Sequence, residues 1–267
     1  MKNKVIIITG ASSGIGRACA SAFFKRGARL ALVARTESKL IELANSIQHL
    51  GGEAMYVVAD VSNESDCAKM IGNVVDRYGQ IDVLVNNAGI SMRALFLDLD
   101  LADFKKVMNI NFYGTVYTTK YALTHILARQ GSVVGVSSIA GHKGLPARTA
   151  YSASKFAMRG FLEALRIENL KKGLHVLIAS PGFTASNIRQ NALNSSGENQ
   201  QESPRNETKM MSAEEVSERI VIAVQKRQNS IVLTSQGKFL VFLNKFLPSL
   251  VDRLVFRSLS KEKKSPF

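Results

Sequence analysis

Along the chain, short runs of contiguous apolar and often β-branched residues alternate with longer stretches in which apolar positions recur every three to four residues. The short runs are Val5 to Thr9, Leu30 to Ala34, Ala54 to Val58, Val83 to Asn86, Ser132 to Ser137, Val176 to Ala179 and Ile231 to Thr234. Runs of this length without polar alternation predict strands buried on both faces, as in a parallel sheet. The helical period predicts helices over Gly14 to Arg26, Glu37 to Leu50, Asn63 to Tyr78, Leu101 to Ala128, Ala150 to Lys172 and Ala213 to Lys226. Gly27, Gly51, Gly79 and Gly173 follow helical stretches, where a left-handed terminating residue is easiest for glycine. A helix after each of the first six strands predicts an α/β chain with one doubly wound, seven-stranded parallel sheet, because right-handed crossovers return the chain to the same sheet.

Two segments break the rhythm. Ser186 to Met211 is polar, contains Pro204 and has no apolar period, and reads as a mobile substrate loop over 186–211. From Lys238 the chain is dense in Phe and Leu with interspersed basic residues, so the organisation reads as a main domain over 1–237 and an amphipathic basic extension over 238–267.

Composition narrows the class. A chain of 267 residues, 46% hydrophobic and 21% charged, is neither collagenous nor disordered and is long enough to bury a core without staples. Cys19 and Cys67 are too few for a disulfide framework and read as reduced helix residues. Lys and Arg number 35 against 21 Asp and Glu, for a net charge of +14. Basic and aromatic residues do not interleave as an RNA-binding sheet requires, and no zinc-finger spacing occurs, so no nucleic acid partner is expected. Met1 to Lys4 leads straight into Val5 to Ile8, too short for an export signal, and no stretch of about 20 residues lacks charge or proline. The chain therefore reads as cytoplasmic, with a peripheral membrane contact left open by the tail.

The chemistry gathers where strands end. After the first strand, Gly10, Ser12, Ser13, Gly14, Ile15 and Gly16 form a glycine-rich turn into a helix, where backbone amides and the helix dipole favour a phosphate. The spacing Gly-x-x-x-Gly-x-Gly departs from the usual dinucleotide fingerprint, and an ordinary turn is the competing reading. Arg35 ends the second strand where a carboxylate would repel a 2′-phosphate, which favours NADP (NADPH) over NAD, although Glu37 lies two residues on. Arg17 faces either that region or solvent. Asp60 and Val61 end the third strand as adenine contacts, with a helix cap at Asp60 or Ser62 as the alternative. Tyr151 and Lys155 are four apart, which on a helix places them on one face. A phenol titrates near ~10, and a cation within about 4 to 6 Å lowers that by about 1 to 3. Asn86 to Gly89, Val136 to Gly141 and Ser180 to Thr184 end three further strands, where a parallel sheet meets its ligand crevice, and Asn109 to Gly114 lies on a following helix.

These motifs, in this order, resemble those of the short-chain dehydrogenase/reductase family over about Lys4 to Thr234, nearly the whole chain. Ile90, Ser91 and the tail make it similar to the members that include the 11β-hydroxysteroid dehydrogenase type and its dehydrogenase/reductase relatives. The resemblance implies a Rossmann-type domain and a catalytic tetrad of Asn111, Ser138, Tyr151 and Lys155. Tyr151 would exchange the proton with the substrate oxygen and Ser138 would orient that oxygen. Lys155 would hold the nicotinamide ribose and lower the phenol pKa, and Asn111 would fix a relay water. It also implies cofactor contacts at Gly10, Ser12, Ser13, Ile15, Asp60, Val61, Asn87, Ala88, Gly89, Pro181, Gly182, Phe183 and Thr184, besides Tyr151 and Lys155. No metal site is expected, since His49, His125, His142 and His175 show no ligand spacing; His142 is the one candidate for a substrate contact.

Ser91, Met92, Leu145 and Phe183, with Ser138 and Tyr151, are expected to line the substrate pocket. On a helical wheel of about 100° per residue, Lys238, Lys245, Arg253 and Arg257 fall within roughly 120°, a basic stripe opposite a broad apolar face, and Pro248 is expected to divide the segment. The tail is either an in-plane membrane contact through 238–260 or a segment packed over the pocket or a second subunit. The expected activity is NADP-dependent hydride transfer to a lipophilic carbonyl or from a secondary alcohol, in a homodimer or homotetramer. Reduction of a 3-oxoacyl carrier substrate and a non-catalytic NADP-binding scaffold are the alternatives.

Overall fold

The computed structural model describes residues 1–184, 188–203, 210–262 and 265–267. Strands β1 (Val5–Thr9), β2 (Arg29–Ala34), β3 (Ala54–Val58), β4 (Val83–Asn86), β5 (Ser132–Val136), β6 (His175–Ser180) and β7 (Ser230–Val232) form one parallel sheet in the order β3-β2-β1-β4-β5-β6-β7. The crossovers carry α1 (Gly14–Phe24), α2 (Glu37–His49), α3 (Glu64–Tyr78), α4 (Leu101–Met108), α5 (Gly114–Ala128), α6 (Thr149–Glu168) and α7 (Ala213–Gln225). Ile6 and Ile8 of β1 pack with Phe23, Leu40 and Ile220 from α1, α2 and α7. Val5 and Ile7, one residue out of phase, pack with Met70, Ile126 and Met158 from α3, α5 and α6. Burial of both strand faces is what the unbroken apolar runs require.

The boundaries differ in instructive places. Asn63 is not the first residue of α3 but its cap, its Oδ1 accepting from the Ser65 and Asp66 amides at 2.9 and 3.3 Å. The helical stretch expected over Leu101 to Ala128 is punctuated by a π-helical turn, Asn109–Tyr113, between α4 and α5. The stretch Ala150 to Lys172 ends its α-helix at Glu168 and continues as a 3-10 turn, Leu170–Lys172, closed by Gly173 at φ +73°. Of the expected loop, 186, 187 and 204–209 lie outside the described residues. Its described part is fastened to the segment after β4: the Leu193 amide donates to the Ser91 carbonyl at 3.0 Å and the Arg93 amide to that of Leu193 at 2.7 Å.

The tail forms α8 (Ser235–Asn244) and α9 (Pro248–Leu259), with Pro248 opening α9 where its missing N–H costs nothing. Because α8 starts at Ser235, the expected boundary between 237 and 238 falls inside a helix, and the basic stripe read from one continuous wheel is divided between two. One face of α9, Val251, Val255 and Leu259, is buried with Leu145, Leu240 and Leu243.

Candidate active site

The crevice lies where the strand order changes direction, between the C-terminal ends of β1 and β4. Thr9 Oγ1 donates to the Val85 carbonyl at 3.2 Å and accepts from the Asn87 and Ala88 amides, each at 3.0 Å. Asn87 Nδ2 donates back to the carbonyls of Thr9 and Gly10 at 2.9 and 3.3 Å. The stitching leaves no room for side chains: a Cβ on Gly10, whose φ is +65°, would lie 2.8 Å from Asn87 Nδ2, and one on Gly16 would strike the Gly10 carbonyl oxygen. Ser13 caps α1 without a side-chain bond to its first turn, so the amides there face the crevice as an anion cradle. Both features fit the pyrophosphate of a dinucleotide.

Arg35 directly follows β2 and is exposed, its Nη1 3.9 Å from Asp60 Oδ2. Asp60 Oδ1 accepts from the amide and hydroxyl of Ser62 at 2.9 and 2.7 Å. Neither of those two caps α3, since Asn63 does. Arg17 pairs with Glu42 of α2 at 2.6 Å, which is the surface role.

At the other end of the crevice, Tyr151 and Lys155 share a face of α6, with Lys155 Nζ 5.7 Å from the Tyr151 ring centre. Lys155 is buried; its Nζ donates to the Val136 carbonyl at 2.9 Å, and desolvation lowers its pKa to about 8. Desolvation raises the Tyr151 phenol above its ordinary value, opposed by a hydrogen bond from Ser138 and by the charges of Arg148 and Arg189. The groups that oppose burial are thus Ser138, Arg148 and Arg189, and not Lys155 as expected. The hydroxyl stays protonated at neutral pH, the state a proton donor needs. Ser138 caps the 3-10 turn Ile139–Gly141, its Oγ accepting from the Ala140 amide at 3.1 Å, while Ser137 Oγ donates to the Lys155 carbonyl at 3.3 Å.

Asn111 sits in the π-helical turn and is fully buried. Its Oδ1 accepts from the Ile90 amide at 2.8 Å, and its Nδ2 donates to the Ile90 carbonyl at 2.9 Å and Ser154 Oγ at 3.0 Å. It therefore ties the loop after β4 to α6. Gly89 keeps that junction open: a Cβ on it would lie 3.0 Å from Asn111 Oδ1 and 3.6 Å from Lys155 Nζ.

One cavity of ≈ 1160 Å³ joins these groups. Its lining takes in Ile15, Asn87, Gly89, Ser138, Tyr151, Lys155, Pro181, Gly182, Phe183 and Thr184, together with Ser91 and Leu145. Gly10, Ser12, Ser13, Gly14, Gly16, Arg35, Asp60, Val61 and Ala88 lie outside that lining, along the strand ends that continue the crevice. Met92 does not reach the cavity; it is 1% exposed, in a cluster with Leu99, Val107 and Leu193 behind Tyr151. Nor does His142, whose Nε2 meets Ser180 Oγ at 2.9 Å and whose Nδ1 meets Arg159. Sequence reasoning missed Ser154, Arg148 and Arg189. The first two were legible as near neighbours of Tyr151 on its helix, whereas Arg189 reaches it only through the fold.

Known proteins resemble this chain in sequence and fold. The short chain dehydrogenase family profile matches residues 4–196. The chain is 35% identical over 271 residues to dehydrogenase/reductase SDR family member 7B of Mus musculus, covering 99% of this chain and 84% of that one. It is 43% identical over 187 residues to 11-beta-hydroxysteroid dehydrogenase A of Arachis hypogaea, covering 69% of this chain and 53% of that protein. Among solved structures, an alcohol dehydrogenase from Thermococcus sibiricus complexed with 5-hydroxy-NADP superposes with TM-score 0.76 at 25% identity, covering 87% of this chain and 96% of the other. A short chain dehydrogenase/reductase from Burkholderia phymatum in complex with NAD has the same fold, with TM-score 0.82 at 22% identity over 93% of this chain and 95% of that one. The chain belongs to the short-chain dehydrogenase/reductase family and is an NAD(P)-dependent oxidoreductase.

Proposed function

We propose that this chain reduces a lipophilic carbonyl compound, or oxidises the corresponding secondary alcohol, using NADP(H) in preference to NAD(H), with Tyr151 as the proton donor and acceptor. The observation that carries the reading is one continuous cavity that holds Ser138, Tyr151 and Lys155 at one end and an apolar wall from α8 and α9 at the other. A bound nicotinamide supplies the hydride. The chain's own groups do the rest. Ser138 and Tyr151 present hydroxyls to the substrate oxygen, and Tyr151 delivers a proton that burial has kept on it. Lys155, charged at neutral pH and held by Val136, stabilises the phenolate that remains. Asn111, through Ile90 and Ser154, keeps the loop after β4 in register with α6. Gly10, Ser12, Ser13, Gly14, Ile15, Gly16, Asp60, Val61, Asn87, Ala88, Gly89 and Thr184 are the cofactor contacts of this reading. Arg35 supports NADP because its exposed guanidinium offers a fork to a 2′-phosphate.

Exposed Phe239, Phe242, Phe246 and Phe256 on the tail, beside Lys238, Lys245, Arg253 and Arg257, support a peripheral contact with an anionic membrane. No helix among the described residues is long and apolar enough to cross a membrane. Exposed Tyr113, Tyr121 and Phe156 on and beside α5 and α6 support a homodimer or homotetramer.

The deciding experiment is NADPH consumption across a panel of lipophilic ketones with wild-type and Tyr151→Phe proteins. The variant is expected to bind NADPH normally and to lose at least about 100-fold in kcat, the lower range of general acid catalysis. Undiminished turnover would refute the role of Tyr151.

A further inference from the structure

Glu262 lies just beyond α9 and is 8% exposed, unusual for a carboxylate. Arg148 Nη2 donates to its Oε2 at 3.2 Å, and Arg93 Nε lies 3.4 Å from the same oxygen. The guanidinium side chains are themselves only 9% and 10% exposed. Burial pushes Arg93 below its ordinary range while Glu262 acts to restore it. Removing one member of such a buried cluster costs more than the pair contributes, because charge is left behind. Arg148 caps α6 three residues before Tyr151 and lines the cavity together with Glu262. At the other end of α9, Lys143 Nζ meets Asp252 at 2.7 Å, but that carboxylate is 65% exposed and holds weakly. Glu262 is therefore the stronger fastening of the apolar wall formed by Val251, Val255 and Leu259.

We propose that Glu262 determines the charge preference of the substrate cavity: it latches α9 in place and supplies the carboxylate that Arg148 would otherwise bind on a ligand, with Arg93 holding Glu262 from outside the cavity, which fits the cavity for uncharged lipophilic carbonyl compounds. A substrate bearing its own carboxylate has to displace Glu262 and unseat α9, whereas an uncharged one lies against α9 with the latch closed. The proposal rests on the reading of this cavity as the substrate site.

The test uses the full-length protein with NADP+ bound, which has no hydride to give a ketone, and measures calorimetrically the affinity for an ω-1 oxo fatty acid and for its methyl ester; reduction of each is followed separately with NADPH. Wild-type protein is expected to bind the ester more tightly. Glu262→Gln should move the acid-to-ester affinity ratio toward the acid by about tenfold or more, the scale of one charge-assisted hydrogen bond, with Glu262→Asp near wild type. Amide hydrogen exchange should rise in α9 of the Gln variant and stay unchanged in the sheet. An unchanged ratio, or a wild-type preference for the acid, overturns the latch. Should the Gln variant not fold, Arg93→Gln combined with Glu262→Gln keeps one guanidinium for the acid and carries the same comparison. If neither compound is reduced while their affinities follow the expected ratio, the catalytic reading fails and the latch stands; if the ester is reduced and the ratio is unmoved, only the latch fails.

Discussion

Lys155 is placed where a cation is costly and useful at once. Its ordinary value of 10.5 falls to about 8 through burial, so the folded protein carries the charge below that pH at a cost of about 3 kcal/mol, from about 1.4 kcal/mol per pKa step. The sign follows from proton counting. Between pH 8 and 10.5 the unfolded chain holds this proton and the folded chain does not, so stability rises with pH across that window. Lys155→Met is expected to raise the Tm of the ligand-free protein at pH 7, to flatten that rise, and to abolish NADPH-linked turnover; thermal unfolding across pH checks all but the last. At Tyr151, burial and not the neighbouring amine sets the direction of the pKa, which leaves the phenol a donor. The four-residue spacing showed that the two groups share a face. It carried no information on how dry that face is.

At the scale of elements, function collects at the C-terminal ends of β1 to β6, and the seven apolar runs were legible because each is buried on both faces. The breaks inside helices were not. The π-helical turn that places Asn111 depends on the Asn111–Ile90–Ser154 bonds and on Thr115 Oγ1 donating to the Asn111 carbonyl at 3.0 Å. These are tertiary or local choices that leave the apolar period almost intact. The end of β2 carries its own expectation. An exposed Arg35 loses little by leaving Asp60, so its guanidinium is available to a 2′-phosphate. Arg35→Ala should weaken NADPH binding by about tenfold or more while changing NADH binding by less than about twofold, as titrations of both nucleotides would show. Equal affinity for the two in wild type would make Glu37 the dominant group there.

For the whole molecule, the tail resolves into two faces. Leu240, Leu243, Val251 and Val255 wall the cavity, and Phe242, Phe246, Leu250 and Phe256 face outward. The inner face is the one packed over the pocket, and the outer face is the one a membrane contact would use. Replacing Phe242 and Phe246 by Ser should reduce partition onto anionic liposomes by roughly tenfold per residue, from about 1.5 kcal/mol for each buried ring, without loss of the cavity wall. Equal sedimentation of both proteins with vesicles would remove the membrane contact. The sequence alone determined the doubly wound sheet, the glycine-rich turn into α1 and the shared face of Tyr151 and Lys155, because apolar period, glycine placement and helical spacing are properties of neighbours along the chain. Only the tertiary structure decided that Met92 lies behind Tyr151, that Asn63 caps α3, and that Glu262 meets Arg93 and Arg148, because burial and long-range charge pairing depend on which distant segments the packing brings together.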